Sequence, residues 1–353
     1  MFDESKKDAF VDVLTEIQKI DIGKDKTSGD GRRNITIYKE GVEEPIVITI
    51  DKDEKIIGYK DHELSEVGND FLRYSFGVET LDTPNIQKAG NNFCRSASIE
   101  ELTLPKLETA GDNFCASADN LKRADLSSLT EVGDNCLATI NSLEELSLPK
   151  LKKVGNKFCR RAHELKKIEL PELIEAGDES LEYTRKLKKL EAPKLQSVGN
   201  EFCCFTGLES IRLQSLETVG DLFCQCCQEV RTVDLPQVKT VGDQFMEAVE
   251  NVESVRMPNL SKAGDAFLLD AADTITEFEA PKISRLKWFF SQNKHMVSVI
   301  NRTKKIQKIK KTDIVVLDAS KMLMPEEIEE AKTLVEEPTV EVNRDNIRRT
   351  EEI

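Results

Sequence analysis

The side chains best suited to chemistry in this 353-residue chain are thiols. Cys203, Cys204, Cys224, Cys226 and Cys227 lie in a short stretch and make up more than half of the nine cysteines. Clustered thiolates bind metal ions or take part in redox chemistry. A second interpretation is burial as small hydrophobic groups, because Leu or Met occupies the same position elsewhere in the chain. Both interpretations stay open at this stage.

Charged residues recur at regular intervals and predict a mixed-charge face. One interpretation is a solvated sheet on which opposite charges pair weakly between neighbouring strands. The other is a docking face for a folded protein, on which charges set register and association rate. A nucleic-acid groove would be uniformly basic, and this face is not. The candidate partner-binding residues are Lys122, Asp125, Glu144, Lys166, Glu169, Lys188, Glu191, Arg212, Arg231, Asp234 and Arg256.

A third candidate site is the segment 280–312, which holds ten basic residues, no acidic residue and the single tryptophan of the chain. Basic residues beside aromatic rings bind polyanions or anionic membrane surfaces. Alternatively, the aromatic rings close the end of the core and the lysines meet an acidic C-terminal helix of the same chain. The candidate anion-binding residues are Lys287, Trp288, Lys304, Lys305, Lys308, Lys310 and Lys311.

The remaining polar patterns do not predict catalysis or a resident metal. An Asp or Asn recurs in each repeat, for example Asp221, Asp243 and Asp265, but one carboxylate per repeat supplies too few oxygens for calcium. Capping of the following helical turn explains these residues better. The three histidines are far apart in sequence. We therefore expect no cofactor, no metal and no enzyme activity, including in the N-terminal part.

The elements that position these residues follow from a repeat. Glycines recur every 21 or 22 residues, at Gly68, Gly90, Gly111, Gly133, Gly155, Gly177, Gly199, Gly220, Gly242 and Gly264. A period of this length indicates a solenoid, in which each unit buries its apolar side against its neighbours. A solenoid presents a long open surface, which favours binding over enclosed-site chemistry.

Each repeat contains a short strand, a corner and an aromatic residue. Leu143, Leu146 and Leu148 show the strand pattern, and Pro149 follows it at the corner. The glycine then either adopts a positive φ or permits a close backbone approach. Phenylalanine follows three residues after the glycine in most repeats, and we expect these rings to stack as a ladder inside the core. Its members are Phe93, Phe114, Phe158, Phe202, Phe223, Phe245 and Phe267.

The strand, the proline and the motif V-G-[DN]-x-F-C resemble the BspA-like class of leucine-rich repeat. The resemblance covers roughly residues 64–283 and carries no catalytic residue. It implies an α/β repeat solenoid of about ten 22-residue repeats, right-handed and curved, with a parallel sheet on the concave face. It also implies protein or surface binding, which makes the mixed-charge face the concave face. Many members of this class are exported surface proteins, so an exported effector or adhesin is an alternative function.

The predicted domains are an α+β cap (1–60), the solenoid (61–283), a degenerate repeat with a C-terminal cap (284–337) and a charged tail (338–353). Within the cap we expect a helix, an irregular loop from Asp21 to Arg33 and a three-strand meander; an independent docking domain is the alternative. The net charge of −15 argues against general attraction to nucleic acid or membranes. With no Sec signal or transmembrane stretch, we expect a cytoplasmic monomer with a protein partner.

Overall fold

The computed structural model describes residues 21–22, 26–27, 31–38, 44–53, 55–268, 271, 274–283 and 285–287. They divide into two compact units, the first ending at Leu173 and the second beginning at Ile174. The predicted N-terminal helix, the last predicted strand (314–317), the closing helix (325–337) and the tail lie outside the described residues.

The first unit begins with a six-stranded sheet, whose antiparallel strands are β1 (Asp21–Ile22), β2 (Lys26–Thr27), β3 (Arg33–Tyr38), β4 (Ile46–Ile50) and β5 (Ile56–Lys60). Strands β3, β4 and β5 form an antiparallel meander. The prediction of an irregular loop over the preceding stretch was wrong, because β1 and β2 both pair with β3. A strand edge leaves backbone donors and acceptors unpaired, and even polar segments can satisfy them.

Each repeat contributes two strands, one more than the sequence pattern predicted. The three-residue strands of the first unit are Thr80–Asp82, Glu101–Thr103, Arg123–Asp125, Glu145–Ser147 and Lys167–Glu169. Those of the second unit are Lys189–Glu191, Ser210–Arg212, Thr232–Asp234, Ser254–Arg256 and Glu277–Glu279. Parallel pairing joins equivalent residues of neighbouring repeats, as in Leu146 with Ile168. The meander extends the same array, because β5 pairs in parallel with Thr80–Asp82.

The second strand of each repeat lies at the position of the recurring glycine, directly before it in most repeats. In the first unit these strands are Glu66–Val67, Lys88–Ala89, Thr109–Ala110, Glu131–Val132 and Lys153–Val154. In the second unit they are Glu175–Ala176, Ser197–Val198, Thr218–Val219, Thr240–Val241, Lys262–Asp265 and Arg285–Lys287. They too pair in parallel with neighbouring repeats. Two residues are too few to show an alternation in sequence, so this second set of strands escaped prediction.

Between the strands, the core is a ladder of stacked aromatic rings. In the first unit Phe93 and Phe114 stack with centroids 5.1 Å apart. In the second unit Phe223 lies between Phe202 at 6.0 Å and Phe245 at 5.2 Å, and is fully buried. The predicted stacking is confirmed for these rings, but the ladder is interrupted where Cys136 and Ser180 take the aromatic position. Offset stacking adds to the burial of each ring, and each run of rings links neighbouring turns within its unit.

The recurring glycine and the Asp or Asn after it form a second ladder. Asp112 Oδ1 accepts a hydrogen bond of 2.9 Å from the backbone N–H of Asp134, one repeat later, and Asp134 Oδ1 accepts one of 2.7 Å from Asn156. A Cβ on Gly133 would lie 2.2 Å from Asp112 Oδ1. The repeat glycine thus permits close approach, and a positive φ is not its role. The Asx side chain caps the neighbouring turn, so the prediction that it caps its own helical turn was wrong.

No helix follows the glycine in any described repeat. Instead, alternate residues adopt left-handed backbone conformations, as at Asn113 (φ 57°), Cys115 (φ 51°) and Ser117 (φ 57°). In the first unit this alternation sends the N–H groups of the left-handed residues to opposite neighbours in turn. Asn113 and Ser117 donate to the following repeat, at 2.7 and 2.8 Å, whereas Cys115 donates to Phe93 O of the preceding repeat at 2.8 Å. Hydrogen bonding between repeats therefore replaces the bonds that a helix would make internally.

Candidate protein-binding face

In each unit, the outward side chains of the three-residue strands, with the residue before each strand, form a surface that we call the front face of that unit. In each strand the middle residue points into the core, as Leu102 and Leu146 do at 1% and 3% exposure. The residues on either side of it point outward, because side chains alternate along a strand. Every predicted partner-binding residue lies on the front face of the unit to which it belongs.

In the first unit the predicted cations of the front face pair with carboxylates of the preceding repeat. Lys122 Nζ lies 2.8 Å from Glu100 Oε2, and Lys166 Nζ lies 2.7 Å from Glu144 Oε2. All four side chains are at least half exposed. The hydrogen bond to Glu144 raises the pKa of Lys166, so this ammonium group stays charged. Pairs this exposed contribute little to stability.

The front face of the second unit carries a longer run of alternating charge. Arg256 contacts both Asp234, at 3.0 Å, and Glu279, at 2.9 Å. Lys188 lies 3.5 Å from Glu209, and Arg231 lies 3.5 Å from Glu253. These contacts agree with the weak cross-strand pairing that the sequence predicted, and a partner with complementary charges can exchange them at small cost.

An open groove of about 890 Å³ lies on the front face of the first unit. Its walls come from four successive repeats and combine five carboxylates with two cations. The predicted residues Lys122, Asp125 and Glu144 line it together. The full lining is Glu101, Leu102, Thr103, Lys122, Arg123, Ala124, Asp125, Asn141, Ser142, Glu144, Glu145 and Glu164.

The groove also contains a column of residues that the sequence analysis missed. Glu101, Arg123 and Glu145 are the first residues of their strands and are exposed. Arg123 pairs with Glu101 across the parallel ladder. The sequence contained a usable signal for them, because each precedes a buried apolar or small residue and follows another charged residue. The predicted strands began one residue too late to include this column.

The cysteines lie mostly in the core. Eight of the nine are buried, and Cys226 is partly exposed. Burial raises the pKa of Cys136 and Cys159, as expected for thiols among apolar neighbours. Within the described residues no set of three His, Cys, Asp or Glu side chains has the arrangement of a metal site. Their burial favours the interpretation that these cysteines act as small hydrophobic groups.

The candidate anion-binding residues lie largely beyond the described part of the chain. Lys287 belongs to the strand Arg285–Lys287, which pairs in parallel with Lys262–Asp265 and keeps the repeat register. Trp288, Lys304, Lys305, Lys308, Lys310 and Lys311 are outside the described residues. Among the residues that are described, no helix has the length and apolar character needed to cross a membrane.

Comparison with known proteins agrees with this architecture. The profile of the BspA type leucine rich repeat region matches residues 65–181 and 174–296, with six copies of the repeat. A leucine-rich repeat protein from Bacteroides ovatus shares 14% sequence identity with a TM-score of 0.37, covering 73% of this chain and 80% of its own. No curated protein matches the chain. The family profile spans well over half of the sequence, and the chain therefore belongs to the BspA-type leucine-rich repeat family.

Proposed function

We propose that this chain is a non-catalytic scaffold that binds a folded protein through the front face. The observation that carries the proposal is the groove on the first unit, because three predicted binding residues line it together. Its lining combines charged side chains with the strand residues Leu102, Thr103 and Ala124. An exposed polar rim is typical of protein interfaces.

The paired charges of the front face support the same proposal. Five of the six predicted cations already lie near a carboxylate, for example Lys166 beside Glu144. A partner carboxylate can replace Glu144 with little change in the stability of the free protein, since the existing pair is exposed. Charges arranged in this way select partners and orient them during association more than they add affinity. The alternation of sign also favours a mixed-charge protein surface over a polyanion.

The test is a triple charge reversal on the front face of the first unit, Lys122→Glu, Arg123→Glu and Lys166→Glu. The intact chain would first be used to capture partners from a lysate of its source cells. The affinity of each captured protein would then be measured by titration calorimetry with the purified wild-type and variant chains. We expect the reversal to raise the dissociation constant of the true partner at least tenfold, because three cations of the contact surface become anions.

The matched control reverses three exposed cations in or beside the two-residue strands of the same unit, Lys88→Glu, Lys152→Glu and Lys153→Glu. It produces the same change in net charge on another surface. If the front-face variant and this control bind the partner equally well, the front face is not the binding site and the proposal fails. A partner lost only with the front-face variant supports both the function and its location.

A further inference from the structure

The front face of the second unit carries its charges in two columns. One column holds the residue before each three-residue strand, and the other holds the last residue of each strand. Parallel pairing puts equivalent residues side by side, as it does Asp234 and Arg256. The sign of the charge alternates along each column, and within each strand the two columns have opposite signs. We call these residues the checkerboard; the first column is Lys188, Glu209, Arg231 and Glu253, and the second is Glu191, Arg212, Asp234 and Arg256.

Ion pairs inside the chain explain the checkerboard only in part. Neighbours along a column attract each other, as Lys188 does Glu209 at 3.5 Å and Asp234 does Arg256 at 3.0 Å. These pairs require alternation along each column, but they do not require opposite signs within a strand. Arg212 is exposed and forms no ion pair with any residue that the structure describes. This cation is therefore available to an anion of a second molecule.

A surface with this pattern of charge is complementary to itself. Two identical faces can meet about a two-fold axis that runs along the stack of strands. Each strand then lies opposite the same strand of the second copy, and the two columns exchange sides. Because the columns have opposite signs within every strand, each charge of the checkerboard meets an opposite charge. Arg212, for example, faces Glu209 of the second copy.

The residues between the two columns permit this close approach. The first residue of the middle strands is Ser210, Thr232 or Ser254. These side chains are short, and a hydroxyl group both donates and accepts hydrogen bonds, so such a column can face its own copy. The charged side chains of the ion pairs on either side are at least 30% exposed and can reach a second molecule.

We propose that two copies of this chain associate through the front faces of their second units, about a two-fold axis along the stack of strands. The contact uses no residue of the groove on the first unit, and it differs from the monomer that the sequence predicted. The four strands of the checkerboard span about 14 Å of the stack. A contact of this length is small for a stable interface, so the association is weak, steered by charge and sensitive to salt.

Sedimentation velocity of the intact chain tests the proposal. The wild-type chain would be measured up to a concentration on the order of 100 μM, because a small interface gives weak association. We expect a reversible dimer whose dissociation constant rises by about tenfold or more between about 0.05 M and about 0.5 M NaCl. A chain that stays monomeric at low salt would overturn the proposal.

Two double variants test the arrangement of the copies. Arg212→Glu with Arg256→Glu makes the second column uniformly acidic, and Glu209→Lys with Glu253→Lys makes the first column uniformly basic. Each variant alone should stay monomeric, because half of the facing pairs then carry like charges. In an equimolar mixture every facing pair is again opposite, so dimers should return. A two-fold axis parallel to the strands would leave like charges facing each other in the mixture. A monomeric mixture beside a dimeric wild type would therefore overturn the assigned axis.

The matched control is Lys239→Glu with Lys262→Glu, which changes the net charge as the acidic double variant does, at exposed residues outside the checkerboard. It should dimerise like the wild type; an equal loss in both variants would assign the effect to net charge and refute the proposal. The single variant Arg212→Glu breaks no ion pair among the described residues, so circular dichroism should show an intact fold. Its dissociation constant should still rise, and an unchanged value would refute the contact with Glu209.

Discussion

Replacing Gly133 by alanine should destabilise the first unit through a contact between repeats. The new Cβ would lie 2.2 Å from Asp112 Oδ1 and 2.8 Å from the backbone nitrogen of Asp112. The Asp112 side chain would have to move and would then lose the 2.9 Å hydrogen bond from the N–H of Asp134. Forced repacking together with loss of a hydrogen bond to a charged group should cost about 2–5 kcal/mol of unfolding free energy.

The matched control is Gly68→Ala, at the same register of the first repeat. No atom lies within 4 Å of a Cβ built on Gly68, which follows the strand Glu66–Val67. Its unfolding free energy should therefore stay within about 1 kcal/mol of the wild-type value. Urea denaturation followed by circular dichroism measures both variants, and an unchanged m-value shows that the difference reflects stability.

A double variant tests the mechanism directly. Asp112→Ala removes the oxygen that the new Cβ would meet and also removes the hydrogen bond from Asp134. Adding Gly133→Ala to Asp112→Ala should therefore cost less than Gly133→Ala costs in the wild-type chain. Strictly additive effects, or a Gly133→Ala variant as stable as Gly68→Ala, would refute the explanation of the glycine period by this ladder.

Three further outcomes are expected. Phe223→Ala should cost about 3–5 kcal/mol of unfolding free energy, because the ring is fully buried between two others; Phe76→Ala, at a 70% exposed residue, should change it by less than about 0.5 kcal/mol in the same urea titration. Burial raises the pKa of Tyr59 above its ordinary value of 10.0, and the Asp61 carboxylate raises it further. The neutral phenol therefore stabilises the fold at pH values below 10.0, and this contribution is lost as the pH rises above 10.0. Between pH 9 and 11, the unfolding free energy from urea denaturation should fall less steeply for Tyr59→Phe than for wild type, and the two slopes should differ by up to about 1.4 kcal/mol per pH unit. Equal slopes would contradict the coupling between ionisation of Tyr59 and unfolding. Lys166→Gln should change the unfolding free energy by no more than about 1 kcal/mol, since its pair with Glu144 is exposed, and a larger loss in urea denaturation would show that the front face is structural.

Much of the architecture was predictable because a solenoid repeats one local solution. The apolar spacing of Leu143, Leu146 and Leu148 predicted a strand, and the strand Glu145–Ser147 with Leu146 buried confirms it. The phenylalanine positions predicted the stacked ladder, since equivalent residues of successive repeats must lie above one another. Position in the repeat was enough to place these residues, because the same contacts recur in every turn.

The candidate site was predictable in part. Lys122, Asp125 and Glu144 were identified by their recurrence, and they share the groove. Glu101, Arg123 and Glu145 were missed because the strand boundary was placed one residue late. The outward residue that begins each strand is left out when the strand is drawn one residue late, so a small boundary error removes a whole column of surface residues.

The sequence alone determined the repeat length, the family of fold, the core residues and the mixed charge of the strand surface, because these depend on a periodic pattern of residue types. The tertiary structure decided why glycine must recur, since Gly133 is required by Asp112 one repeat away. It also decided that left-handed turns replace a helix, and that the thiols of Cys203, Cys224 and Cys227 lie together in the core. These features depend on contacts between neighbouring turns, which local propensity does not encode.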